Sequence, residues 1–422
     1  MTREQSALAR AKTMLSYILA CAAGCLCAAC LIVPASADDL AAQRAAAHQL
    51  VRNQEQGGLL DFDMDFLAGK GGGSGTAANQ KAAFIARQAA AAYGLAKYYE
   101  QTRDEEVREP LVRLIQALGD HSLPVGKSTT QRVLESLRVL SVPVARVRIE
   151  SALQARGLLY TPSGDGALLA YEKGYDSAWG GGTAMALLAE LHYFRASGDA
   201  RFAALRERWR NGLTMLRIPG NGFREYPNRI DEGPYTNAET WLAFALYRDT
   251  FPDGAISDQE IRDIDAYMLA AYADRNNGPF FHWGAMAAAR RFATTQDRRF
   301  VDFAGKLAQP MLATAAPADA PLNSCTIVEG LGATVAAFAR AGRSDTPLYR
   351  TMVARIREEM DKNNALQLPP GLDRLTPGEG VVLISPRLGD YAGAYLFGRT
   401  LPTVRIDVTH HCISAIAEMQ QR

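Results

Sequence analysis

The side chains best suited to chemistry in this chain are scattered widely along it. Two adjacent histidines and a cysteine, His410, His411 and Cys412, open the apolar stretch VTHHCISAIAEM near the C-terminus, although the whole sequence holds only six histidines. His282 and Trp283 lie in FFHWGAM, Cys325 and Glu329 in NSCTIVEG, and Tyr235, Asn237, Glu239 and Trp241 in PYTNAETW. Glu172, Tyr175, Asp176 and Trp179 precede GGGTAM, and Arg87 opens RQAAAAY. The imidazoles of His282 and His411 titrate near neutral pH and can act as bases. Glu239, Glu329 and Asp176 add carboxyl groups. Such a set suits a paired acid and base across a glycosidic bond, or a base that removes a proton beside a carbonyl or carboxylate. Trp179, Trp241, Trp283, Tyr235 and Asn237 complete a surface on which a sugar ring could stack and hydrogen-bond.

Blander roles compete with each assignment. Asn237 and Glu239 also fit the start of a helix, where a cap and a negative charge are favoured. The tryptophans also fit a core. His192, in ELHYFRASGD, reads as a packed or surface residue, and His48 and His121 receive no role. The loop GNGFREYPNRIDEGPY is too long and too aromatic for a plain connector. Its Arg224 and Tyr226 are expected to line a cavity, with the arginine able to grip a carboxylate through two parallel hydrogen bonds. Asp61, Asp63 and Asp65 fall on one face if their segment is extended. They lack the later glycine and glutamate of a calcium loop, and GKGGGSG does not have the order of a phosphate loop. No metal and no cofactor is assigned.

The elements that must position these groups are helices. One unit recurs: a small-residue apolar helix, a short turn containing Asp or Gly, then a charged amphipathic helix. It is clearest from Arg87, Gly180 and Trp283, where YYEQTRDEEV, YFRASGDARF and RFATTQDRRF occupy equivalent places. Further units begin near Thr236 and Cys325, and VTHHC opens a last partial one. The first helix of each unit must be buried on most of its surface, while the second leaves one face wet. A closed ring satisfies both, with small-residue helices inside and amphipathic ones outside. About six hairpins predict an all-α (α/α)6 toroid, with minor β segments around Gly220 to Tyr226 and Gly380 to Ser385. An open helical solenoid is the alternative.

This run of hairpins resembles the (α/α)-toroid carbohydrate-active enzymes, a group that includes N-acylglucosamine 2-epimerase-like proteins, uronyl epimerases, glycosidases and polysaccharide lyases. The resemblance covers most of the chain after Ala41 and lies in repeat style. It implies a shared mouth at the starts of the inner helices. In the epimerase-like relatives, histidines on separate inner helices carry proton transfer with Arg and Glu nearby, and Arg87, Glu239, His282 and His411 fall in similar positions. Adjacent helical residues diverge by about 100°, so His411 is expected to face the cavity and His410 the rim.

Composition narrows the function classes. The chain has 422 residues, 48% of them hydrophobic, with 46 basic against 45 acidic side chains. It can bury a large core and carries almost no net field, which argues against a nucleic-acid binder or a polybasic membrane-surface protein. At the N-terminus a basic flank, the apolar run TMLSYILACAAGCLCAACLIV and Ala35-x-Ala37 read as a signal peptide over residues 1–37, followed by a single toroid domain over 38–422. Retention as an anchor or lipidation within the cysteine-rich run would tie the protein to a membrane. Four of the six cysteines lie in that segment. Cys325 and Cys412 remain, a natural disulfide in an oxidising compartment, closing an ~85-residue loop worth about 4 kcal/mol in the chain-entropy model. A zinc set of Cys325, Cys412, His282 and one of His410 or His411 is the competing use, without the tight spacing such sites show.

The reading that follows is an exported, periplasmic enzyme acting on a polysaccharide or oligosaccharide, with uronate polymers among the candidates, by hydrolase or lyase chemistry. The catalytic candidates are Glu239, His282, His411 and Glu329. The substrate-binding candidates are Arg87, Asp176, Trp179, Arg224, Tyr226, Tyr235, Asn237, Trp241 and Trp283. The alternatives are a ring that binds a glycan or a partner protein without turnover, a sugar epimerase, and a zinc-dependent toroid enzyme.

Overall fold

A computed structural model describes residues 35–69, 78–127, 160–171, 178–218, 220–227, 229, 231–273, 278–313, 322–378 and 381–420. Its helices are α1 (Ala37–Arg52), α2 (Ala78–Thr102), α3 (Glu105–Asp120), α4 (Gly180–Ser197), α5 (Ala203–Leu216), α6 (Pro234–Thr250), α7 (Asp258–Tyr272), α8 (Gly278–Thr295), α9 (Arg298–Leu312), α10 (Cys325–Arg340), α11 (Pro347–Asn364) and α12 (Ile406–Met419). The even-numbered helices pack in cyclic order, α2 on α4, α4 on α6, α6 on α8, α8 on α10, α10 on α12 and α12 on α2. The ring therefore closes, which rules out the open solenoid.

Small residues let the inner helices approach one another. In α4, Gly180 through Tyr193 is buried without interruption. A Cβ on Gly182 would stand 3.0 Å from that of Ala86 in α2, so a larger residue there would force the two helices apart. The outer helices carry one apolar face, as in α9, where Phe300, Val301, Phe303, Ala304 and Leu307 are buried. None of the helices among the described residues is long and apolar enough to cross a membrane.

The outer place beside α12 is taken by α1, which packs on it. Gln43 donates a hydrogen bond of 2.9 Å to the carbonyl of Ile413. Asn364 donates one of 2.8 Å to Asp39, which also closes a capping box with Ser36 at the start of α1. The ring is thus closed by the pairing of α1, the first described helix, with α12, the last.

The repeated turns share one chemistry. Arg103 (φ 55°), Gly198 (φ 70°) and Gln296 (φ 59°) occupy equivalent positions and all adopt the left-handed conformation. Before each, a hydroxyl at Thr102, Ser197 or Thr295 bonds back to the carbonyl four residues earlier, and it also accepts from the backbone N–H of the following aspartate. Asp104, Asp199 and Asp297 then accept from the backbone two residues on. In the first two units a tyrosine, Tyr98 or Tyr193, donates to that aspartate as well. The sequence similarity of the three units is this turn.

The β structure is peripheral. Strand β1 (Asp63–Asp65) pairs antiparallel with β6 (Thr403–Arg405), β2 (Ser122–Lys127) with β3 (Tyr160–Leu169), and β4 (Arg374–Gly378) with β5 (Val381–Ile384). The segment expected near Gly380 is β5. The one expected over Gly220 to Tyr226 forms only single bridges, Arg217 to Phe223 and Arg224 to Glu232. The pair β2 and β3 was not anticipated, because SLPVGK and YTPSGDGALL carry Pro and Gly and no clean alternation.

Candidate active site

Helix geometry sorts the predicted residues. On α6, Tyr235 and Glu239 are four apart and share one face, while Asn237 and Trp241 share the opposite one, about 200° away. The first pair faces the ring interior. The second pair is structural, which corrects the expectation that all four meet the substrate. Trp241 is fully buried, donates 2.8 Å to Asp265 and stacks on Phe280. Asn237 pins the loop before it, accepting from the N–H of Phe223 at 2.6 Å and donating to Glu232 and to the Tyr272 hydroxyl.

Three inner helices bring polar groups to one point. His411 of α12 lies with its Nδ1 2.7 Å from Glu329 Oε2 of α10. The His282 ring of α8 stands 5.3 Å from that of His411, and one donor atom each from His282, Glu329 and His411 lie within 4.8 Å of one another. Trp283 forms the adjoining wall, with its ring 5.8 Å from His411 and 5.6 Å from Tyr93. Burial, reinforced by the neighbouring His411, holds His282 neutral well below the usual imidazole range.

Glu239 supplies the opposite character. It is buried, its Oε2 has no hydrogen-bond partner, and it packs so closely over α4 that a Cβ on Gly181 would lie 2.2 Å from that oxygen. Burial, with the charge of Glu225, pushes its pKa well above the ordinary carboxyl value, so it holds its proton to higher pH. Trp179, which precedes α4, also borders Gly181. Tyr235 joins the two halves of the site. Its ring is 6.4 Å from His282, and burial together with the Glu239 charge raises its phenol pKa.

Arg87 faces the same region from α2, but it is already engaged, 3.3 Å from Asp407 and over the Phe62 ring. Burial pushes the Asp407 carboxyl up, yet its hydrogen bonds to Arg405 and the charges of Arg405 and Arg87 outweigh this and hold it below its usual value. Neither Asp407 nor Arg405 was among the residues expected at the site. The signal available was an acidic residue in the first turn of the last inner helix, on the approach to His411.

Three other expectations change. His410 is not at the rim: it is 1% exposed and wedged against Gly94 of α2, because the 100° step from His411 turns it into the helix interface. Arg224 is also buried, with its backbone tied to Leu216 and Glu232, so it builds the loop rather than lining the mouth. Tyr226 is half-buried beneath the Arg229 guanidinium. Asp61, Asp63 and Asp65 do not act as a cluster. Asp61 accepts from the Tyr391 hydroxyl, Asp65 caps the turn at Leu67 and Ala68, and Asp63 lies in the field of Arg87 and Arg405. Glu172, Tyr175 and Asp176 lie outside the described residues.

Cys325 and Cys412 are joined in a disulfide that closes an 87-residue separation. This removes both sulfurs from the zinc set considered above. The bond joins α10 to α12 beside the His411–Glu329 contact, with Cys412 next to His411 and Cys325 one turn before Glu329.

No protein-family model and no curated protein matches the sequence. Among solved structures, the chain is similar to the α-1,6-mannanase GH76A of Salegentibacter sp. HEL1_6. The TM-score is 0.54 at 11% identity, covering 90% of this chain and 98% of that one, for an inactive variant with two consecutive aspartates replaced by asparagine, in complex with α-1,6-mannotriose. The enzyme without substitutions gives 0.52, and an alanine variant in complex with α-1,6-mannotetrose gives 0.53. The shared feature is the (α/α)6 toroid, a fold used by carbohydrate-active enzymes. In this chain the only consecutive aspartates are Asp38 and Asp39, at the start of α1. The acidic pair that the mannanase variants alter is thus not carried over as such.

Proposed function

We propose that this protein is a carbohydrate-active enzyme that works on an oligosaccharide or polysaccharide at the mouth of the ring by acid–base chemistry, as a hydrolase or a lyase. The observation that carries the reading is the pairing of a buried Glu239 of raised pKa on α6 with the His282–Glu329–His411 cluster, bridged by Tyr235, whose ring lies 6.4 Å from His282 and whose phenol feels the Glu239 charge. A carboxyl whose pKa is raised by burial holds its proton to higher pH and can protonate a leaving sugar oxygen. The cluster provides the complementary base, which would activate water for hydrolysis or remove a proton beside a uronate carboxylate. Tyr235 and Trp179 offer aromatic surface for sugar rings, whereas Trp283 is buried and only backs the cluster, and Arg87 offers a charge for a carboxylate if Asp407 yields it.

Similarity to a mannanase found with mannooligosaccharides supports a glycan as the ligand. The N-terminal apolar segment and the Cys325–Cys412 disulfide support export to an oxidising compartment, with a mature chain over 38–422. Cleavage after Ala37 would separate Ser36 from its capping box, leaving Asp38 and Asp39 to stabilise the first turn of α1. Mass analysis of the secreted chain tests this start point.

The functional test is a panel of polysaccharides that includes α-1,6-mannan and uronate polymers, scored separately for new reducing ends and for unsaturated uronate. Product from any of them supports an enzyme and identifies its class. Binding without product would instead support a non-catalytic glycan receptor.

A further inference from the structure

We propose that His282, Glu329 and His411 form a binding site for a divalent transition metal of the zinc class. Two imidazoles and one carboxylate make the donor set of catalytic zinc sites, which use three protein ligands and leave a fourth position for water or substrate. The three come from α8, α10 and α12 and offer one donor atom each within 4.8 Å of one another. Hard cations such as calcium prefer an all-oxygen shell, which this site does not supply.

A second observation points to a ligand. His282 is 4% exposed and Glu329 fully buried, yet His282 Nε2 and Glu329 Oε1 have no hydrogen-bond partner. Buried polar atoms left unpaired are destabilising by about 1–3 kcal/mol each, and both belong to the same donor cluster. A metal ion would satisfy the two together. The scaffold suits the task, because the ligands stand on packed helices and two of those helices are cross-linked by Cys325–Cys412. A metal here would coordinate no sulfur, unlike the Cys/His set the sequence suggested.

The inference deepens the reading of the same site: a bound metal would lower the pKa of a water there, so that hydroxide, its proton released to solvent, would take the place of the free imidazole as the base opposite Glu239. The test uses the full-length protein, stripped with a chelator, dialysed against zinc and assayed by elemental analysis and by the visible spectrum of a cobalt-substituted sample. Stoichiometric zinc and a tetrahedral cobalt spectrum are expected in the wild type and in Glu239→Gln. Both should be lost in His282→Asn and in Glu329→Gln, each checked for native melting and far-UV dichroism. Absence of bound zinc, or zinc held equally by all four proteins, overturns the inference. Full turnover by metal-free protein overturns the metal's part in the reaction and leaves the proposed function intact. Stoichiometric zinc with no product from any glycan supports the site and overturns that function.

Discussion

His411 Nδ1 and Glu329 Oε2 stand 2.7 Å apart across the interface of α10 and α12, and the Cys325–Cys412 disulfide fastens the same two helices within one turn of the contact. A covalent bond therefore holds in register two side chains that are 82 residues apart in sequence. Cys325→Ala with Cys412→Ala should reduce stability by about 2–5 kcal/mol, the usual cost of losing a native disulfide. It should also reduce turnover more than a surface substitution of equal destabilisation does. Thermal melts and initial rates at a temperature where both proteins are folded separate the two effects.

Glu239 gives a prediction with a sign. Its folded pKa lies above the unfolded value of about 4.3, so its protonated form favours folding at low pH. That stabilisation is lost as pH rises through the folded pKa. Glu239→Gln cannot ionise, and it should melt higher than the wild type at pH 8 by more than it does at pH 4. A difference of about 1.4 kcal/mol is expected for each unit of the shift. Parallel pH profiles for the two proteins would show that Glu239 is not buried as described.

His282 and His410 act in the opposite direction. Burial, with the His411 charge, depresses the folded pKa of each. The stabilisation from keeping them neutral is full above the unfolded pKa of about 6.5 and is lost as pH falls below it. In denaturant melts from pH 7.5 to 5 these two histidines should contribute a fall in stability, opposite in sign to the contribution of Glu239. His410→Leu should flatten part of that decline, since His410 lies in the α2–α12 interface rather than in the mouth. An unchanged slope in this variant would contradict the placement.

The repeated turn is testable on its own. Arg103 and Gln296 pay for a left-handed backbone that Gly198 adopts freely. Arg103→Gly and Gln296→Gly should each stabilise by about 0.5–1 kcal/mol, the left-handed penalty less the extra chain entropy of glycine. Gly198→Ala should destabilise by a similar amount. Urea unfolding of the three single variants gives the answer.

The ring was legible in the sequence because burial leaves a compositional trace: inner helices rich in Ala and Gly, outer ones amphipathic, and one turn motif three times over. The meeting of His282, Glu329 and His411 was legible because ionisable residues stand at the starts of inner helices. What composition did not carry was rotation. Tyr235, Asn237, Glu239 and Trp241 look alike as a string, and only the 100° step per residue separates the pair facing the cavity from the pair facing the outer layer. His410 was misplaced for the same reason, since divergence from His411 could lead to the rim or into a helix interface, and the small Gly94 decided which. The pairing of α1 with α12 links the first and last described helices, and no local pattern announces it.

The most direct test of the central claim is turnover on the polysaccharide panel by the wild type and by Glu239→Gln, both folded, at one enzyme concentration. Product is expected from the wild type on at least one glycan, with a loss of about 100-fold or more in the variant, the scale of a general acid. Full turnover in Glu239→Gln, or no product from the wild type on any glycan, would contradict that claim.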